Sequence, residues 1–130
     1  REMFTFSDRA QIVWCDMNFE SLVDIDPDRP YESMARRLVA SSFNGSGDNR
    51  IAAARSMARA LRADGAVVFC HWGCKQTMGL SALMKRELEA DGFPTLILNG
   101  DGCDRSNSSD GQVATRLSAF LELLEGQKHD

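Results

Sequence analysis

The sequence predicts an α/β protein: a parallel sheet with helices on both faces. Three observations predict it. Short apolar runs alternate with stripes of helical period, in the order strand, two helices, strand, helix, strand, helix. The run Ala66-Val67-Val68-Phe69 is apolar without alternation, as expected for a strand buried on both faces of a parallel sheet. Asn44-Gly45, Asp64-Gly65, Asp91-Gly92 and Gly126 punctuate the helical stripes, leaving connections suited to right-handed crossovers.

Each element has a local reason. Arg1 to Arg9 is polar, with Met3-Phe4-Thr5-Phe6 a candidate strand remnant. Gln11-Ile12-Val13-Trp14 reads as the first strand and runs into Cys15-Asp16. A loop with Asp26-Pro27-Asp28 and Pro30 follows. Tyr31, Met34, Ala35, Leu38 and Val39 then fall at helical spacing and are expected as one buried stripe. Asp48 is the expected N-cap of the next helix, whose apolar face is Ile51, Ala54, Ala58 and Leu61. After the strand at Ala66 to Phe69, Leu80, Leu83, Met84 and Leu88 mark a third helix. Thr95-Leu96-Ile97-Leu98 is the last strand, and Val113, Leu117, Phe120, Leu121 and Leu124 build the last helix.

The bulk composition narrows the function. A chain of 130 residues, 43% apolar and 26% charged, suits one globular domain with a real core. Its net charge of −4 argues against nonspecific nucleic-acid binding, which needs a basic face. No apolar run approaches the ~20 residues of a membrane helix, and the first residues carry no signal-peptide pattern. The expectation is a cytoplasmic protein, with no membrane partner. The absent initiator Met suggests a piece of a longer chain. In a reducing compartment, four cysteines point to inert, catalytic or metal-bound thiols rather than disulfides.

Ligands of open parallel sheets bind outside the carboxyl ends of the strands. The predicted strand exits are Trp14-Cys15-Asp16, Phe69-Cys70-His71-Trp72-Gly73-Cys74 and Asn99-Gly100-Asp101-Gly102-Cys103. Every cysteine lies at or just beyond such an exit. Soft thiolates at a glycine-rich rim suit iron–sulfur clusters, zinc or redox chemistry. Cys74 stands at a predicted helix N-terminus, where the dipole and free amides favour thiolate. Gly73 and Gly79 leave room for a bulky inorganic group. Plainer roles stand beside these. Cys15 and Cys70 abut apolar strands, where free cysteine is commonly a small buried hydrophobe. His71 can hydrogen-bond a carbonyl, Trp72 can cap the core edge, and Asp101 can hold its own turn. Arg116 suits a surface ion pair better than a phosphate. Gly45-Ser46-Gly47 precedes a helix but lacks both a leading strand and the Lys-Ser/Thr of a P-loop.

Three blocks carry a resemblance. They are Asp64-Gly65-Ala66-Val67-Val68-Phe69 with His71-Trp72-Gly73-Cys74-Lys75-Gln76; Gly92-Phe93-Pro94-Thr95-Leu96-Ile97-Leu98-Asn99-Gly100-Asp101; and Asp110-Gly111-Gln112-Val113-Ala114-Thr115-Arg116-Leu117-Ser118-Ala119-Phe120-Leu121-Glu122. In order and spacing they resemble the 2-hydroxyacyl-CoA dehydratase and benzoyl-CoA reductase family, over most of residues 30 to 126. The resemblance implies a three-layer flavodoxin-like sheet of three to four strands, and residues 1–130 as a single C-terminal domain of a longer chain. It also implies a 4Fe–4S cluster in the parent, held by three cysteines with one iron site open. Cys74 matches one ligand; the others would lie outside this chain. Cys70, His71, Trp72, Gly73, Gln76 and Asp101 are candidates for the site wall, while Cys15 and Cys103 match nothing in the family pattern.

The partners so implied are a CoA-thioester substrate, a sister dehydratase subunit and an ATP-dependent iron–sulfur activator. The implied reaction is radical elimination of water from the thioester, or a related reduction. Two other readings remain open here: a non-catalytic scaffold, and a thiol-redox or zinc module using Cys70 and Cys74 directly.

Overall fold

The computed structural model describes residues 9–18, 24–107 and 110–127. Four α-helices and two strands follow one another as α1 (Pro30–Ala40), α2 (Gly47–Ala60), β1 (Ala66–His71), α3 (Lys75–Ala90), β2 (Thr95–Gly100) and α4 (Asp110–Gln127). Short 3-10 turns occupy Asp16–Asn18 and Arg105–Asn107. The two strands pair in parallel, with Ala66 opposite Thr95 and His71 opposite Gly100. The predicted α/β class with a parallel sheet is what the structure has.

The sheet's membership differs from expectation. Among the described residues it has two strands, not three to four. Residues 11–15 form no strand, although Trp14 packs against the core. Ile12 and Val13 are exposed, so the apolar run supplies one anchor rather than a buried ladder. The Met3 to Phe6 segment lies outside the described residues.

The core lies between one sheet face and the helices α2 and α3. Val68 and Cys70 from β1 meet Ile51 and Ala54 of α2 and Leu80, Met84 and Leu88 of α3. Helix α4 packs on β2. Val67 and Phe69 alternate with the core residues of β1 and are partly exposed, so β1 is buried on one face rather than both. Gly65 has a packing reason: a Cβ there would lie 3.0 Å from the Pro94 carbonyl oxygen and 2.9 Å from Leu124 of α4. Gly92 holds φ +87°, the left-handed conformation that lets the chain turn from α3 into β2.

The free edge of β2 is closed by cations. In a strand, alternate carbonyls point to opposite edges. The Gly100 carbonyl faces β1 and accepts the Trp72 amide at 3.1 Å, so those of Thr95 and Ile97 face away. Lys85 donates to the first and Arg116 to the second, each at 2.8 Å. Arg116, considered above for a phosphate or a surface ion pair, thus satisfies backbone at an edge open to mispairing.

Two helix expectations need correction. The cap of α2 is Ser46, whose hydroxyl accepts the Asp48 amide and donates to the Asp48 carboxylate. Asp48 sits in the first turn instead, where its charge meets the positive helix end. The stripe of α1 is not buried: Tyr31, Met34, Leu38 and Val39 are 58–87% exposed. Helical period puts these residues on one side, but no described element covers them. Helix α1 is stabilised locally by Pro30 in its first turn, the Glu32–Arg36 pair at 2.6 Å, and buried Ser33, whose hydroxyl accepts the Asp26 amide.

Helices α2 and α3 are clamped by charge. Arg55 grips the Asp91 carboxylate with two hydrogen bonds of 2.6 Å, and Arg59 adds a third contact at 2.6 Å. Hydrogen bonding to Arg55, with Arg59 assisting, holds the Asp91 carboxyl at about 2, below its ordinary 3.8. A carboxylate depressed by folding contributes stability that is present above its unfolded value and lost as pH falls through its folded value. Stability should therefore decline as pH falls from 3.8 toward about 2, and Asp91→Asn should flatten that decline in urea titrations at stepped pH. An acid slope identical to wild type would contradict the clamp. Leu88, 2% exposed in the core, should cost about 2–5 kcal/mol when cut to Ala, read as a lower urea midpoint with an unchanged slope.

Candidate functional site

Parallel pairing brings the exits of β1 and β2 side by side. His71 ends β1 and Trp72 to Cys74 leave it, while Asp101 to Asp104 leave β2. Trp72 donates its amide to the Gly100 carbonyl at 3.1 Å, extending the ladder past the end of β1. The Cys74 amide then donates to the His71 carbonyl at 2.9 Å, closing a tight turn into α3.

That turn makes Cys74 the N-cap of α3. Its sulfur accepts the Thr77 amide hydrogen at 3.5 Å, in the role a serine or aspartate oxygen usually fills. Hydrogen bonding from Thr77 lowers the thiol's pKa, with smaller help from the Gln76 amide and the charge of Arg50, against a desolvation that raises it. The side chain is partly accessible. Geometry therefore agrees with the expectation of a thiolate-prone cysteine at a helix N-terminus.

Cys70 has the opposite setting. It is fully buried, at 0% exposure, in the face of β1 toward the helices, and its thiol donates to the Thr77 carbonyl at 3.8 Å. Cys15 is half-buried just before the Asp16–Asn18 turn, and Cys103 is exposed beyond β2.

The remaining candidates divide by position. His71 Nδ1 accepts the Gly102 amide at 3.1 Å and lies 3.6 Å from Asp101 Oδ1. Asp101 accepts the Cys103 and Asp104 amides on Oδ1 and the Asn107 side-chain amide on Oδ2. These bonds, Asn107's first, lower its pKa. Asp101 thus does hold its own turn, as its residue type suggested, while also reaching His71. Trp72 is 55% exposed beside them. Gln76 points elsewhere and donates to the Phe43 carbonyl at 3.3 Å. A Cβ at Gly73 would lie 3.3 Å from His71 Nε2, so glycine keeps that ring nitrogen uncrowded; at Gly79 a Cβ would meet open space.

Sequence reasoning missed the support beneath Cys74. Arg50 is buried at the start of α2, pairs with Asp16 at 2.7–2.8 Å and stacks 4.5 Å over the Phe43 ring. This fastens the Asp16 turn to α2, and its cation contributes to the Cys74 thiolate preference. Only Asp16's place after a strand-like run hinted at it.

Comparison with known proteins bears on the chemistry. Residues 1–124 match the family described as 2-hydroxyglutaryl-CoA dehydratase, D-component, and the chain belongs to that family. No curated protein and no solved structure matches it. No helix among the described residues is long and apolar enough to cross a membrane.

The setting of Cys74 predicts its reactivity. Its alkylation by iodoacetamide, followed by peptide mass spectrometry across a pH series, should show a midpoint below that of the same cysteine in the urea-unfolded protein. A native midpoint equal to or above the unfolded one would contradict the N-cap assignment.

Proposed function

We propose that this chain is the C-terminal, flavodoxin-like domain of an iron–sulfur 2-hydroxyacyl-CoA dehydratase and presents Cys74 as one cluster ligand. The observation that carries the reading is the setting of Cys74: a partly accessible, thiolate-prone sulfur at a helix N-terminus, on the carboxyl edge of a parallel sheet. Membership of the dehydratase family supports it.

The donor set fits a shared cluster better than a self-contained one. Iron–sulfur clusters are held by cysteine thiolates. Cys70 is locked in the core and Cys103 follows the other strand, which leaves Cys74 as the thiolate-prone ligand of the β1 turn. The other ligands would come from outside this chain. When bound, the cluster supplies one electron to a CoA thioester, from which water is then eliminated. This chain's own residues hold the Cys74 sulfur through the Thr77 amide and place Trp72, His71 and Asp101 along the adjoining rim. The reading also calls for a sister subunit and an ATP-dependent activator as electron donor.

The test is iron and acid-labile sulfide per chain in the anaerobically reconstituted full-length protein. Wild type should bind both, and Cys74→Ser should lose most of each, with far-ultraviolet dichroism unchanged. A Cys74→Ser protein holding the wild-type amount overturns the assignment, and so does a wild type that binds no iron.

A further inference from the structure

A second set of metal-ligand side chains converges at the same sheet edge without Cys74. His71 closes β1, while Asp101 and Cys103 lie in the loop that leaves β2. One ligand atom from each of the three lies within 4.8 Å of the others.

The protonation pattern gives this convergence meaning. The Gly102 amide donates to His71 Nδ1, so Nδ1 carries its lone pair and the ring proton belongs on Nε2. Asp101 Oδ1 is also a lone-pair donor, and it stands 3.6 Å from Nδ1, too far for a shared proton. Two Lewis bases thus face each other with a third, the Cys103 sulfur, beside them. The separation is that of a tetrahedral edge: metal bonds of ~2.0–2.1 Å place two ligand atoms ~3.4 Å apart. The Cys103 sulfur lies within 4.8 Å of a ligand atom of each of the other two, so reaching the corresponding edge needs a movement of at most about 1 Å, on an exposed residue. A metal on Nδ1 would replace the Gly102 contact there.

The surroundings resemble those of a metal ligand. Asp101 is oriented by the Cys103 and Asp104 amides and by Asn107, which keep it anionic. Imidazole, carboxylate and thiolate together select a borderline metal such as Zn2+ over Mg2+ or Ca2+, which take oxygen. Three protein ligands leave one position free, and the exposure of Cys103 directs it to solvent.

We propose that His71, Asp101 and Cys103 form a three-ligand site for a divalent transition metal, zinc by preference, with its fourth position open to a water or a ligand oxygen. The site ties the two strand exits together and adds a Lewis acid to the sheet edge. It does not depend on the cluster reading, since none of its ligands is Cys74.

Cobalt is the probe, because thiolate-bound tetrahedral Co2+ gives a sulfur-to-metal charge-transfer band and intense visible bands. Full-length protein with its cluster ligands occupied, desalted anaerobically to remove loosely bound metal, is titrated with Co2+ and then with competing Zn2+, and the bands are read as difference spectra. Wild type should take up one Co2+ through sulfur and release it to Zn2+. Cys103→Ser should abolish the charge-transfer band, and His71→Asn should weaken binding at least tenfold. Cys74→Ser should leave the band intact. A band that survives Cys103→Ser, one that disappears in Cys74→Ser, or no binding at all would each overturn the site. Cys103 is exposed, so its serine variant tests the site even where His71→Asn fails to fold.

Discussion

The site depends on the parallel register of β1 with β2. Setting His71 opposite Gly100 places the first residues past each strand at the same edge. The Trp72–Gly100 bond carries the ladder one step further, so the turn into α3 and the loop after β2 leave the sheet together. A slip of one residue would exchange the faces of β2, turning Ile97 away from the core and Asp101 away from His71. The apolar pattern and the edge contacts therefore specify the same pairing. Lys85 and Arg116 reinforce it by occupying outward carbonyls of β2.

Charged pairs fix the elements around this sheet, and position matters more than energy in each. The buried Arg50–Asp16 pair loses hydration on both partners, so its net contribution to stability is modest. What it secures is placement: the Asp16 turn against α2, and a cation near the Cys74 end of α3. The Arg55–Asp91 clamp does the same at the far end of α3. Helix α3 is thus held at its far end by this clamp and near its start by the Gln76–Phe43 bond, with Leu80, Met84 and Leu88 packed between. The N-terminus that presents Cys74 is in this way the end of a fixed rod.

What the sequence made legible was local. The strand at Ala66 to Phe69, the strand at Thr95 to Leu98 and the helix after Cys74 follow from runs, periods and turn residues a few positions apart. The same information sorted His71, Cys74, Asp101 and Cys103 to one edge, because strand ends are readable and parallel strands share a carboxyl edge. The contacts between them were not readable. Neither the Gly102–His71 bond nor the Arg50–Asp16 pair leaves a trace in spacing, since each joins residues more than thirty positions apart. Helical period grouped Tyr31, Met34, Leu38 and Val39 correctly on one face, yet period says nothing about what covers a face. Residues 11 to 14 show the same limit. Their composition suits a strand, but a strand also needs a partner ladder, and composition does not supply one.

Cys70 and Cys74 show how finely this edge separates like residues. They are four apart, and both approach the backbone of Thr77. Cys70 still belongs to the strand, where alternation turns it into the core, and it donates its S–H to the Thr77 carbonyl. Cys74 has passed the turn, where the sulfur replaces a missing helical carbonyl and accepts the Thr77 amide. A carbonyl partner requires the thiol proton, whereas an amide partner favours its loss. One residue's amide and carbonyl therefore meet two chemically identical side chains in opposite roles: a buried sulfur that donates from the core, and an accessible one that accepts and is thiolate-prone. A spacing of three intervening residues across a strand end is what allows it, because the first cysteine answers to the sheet's period of two and the second to the helix cap.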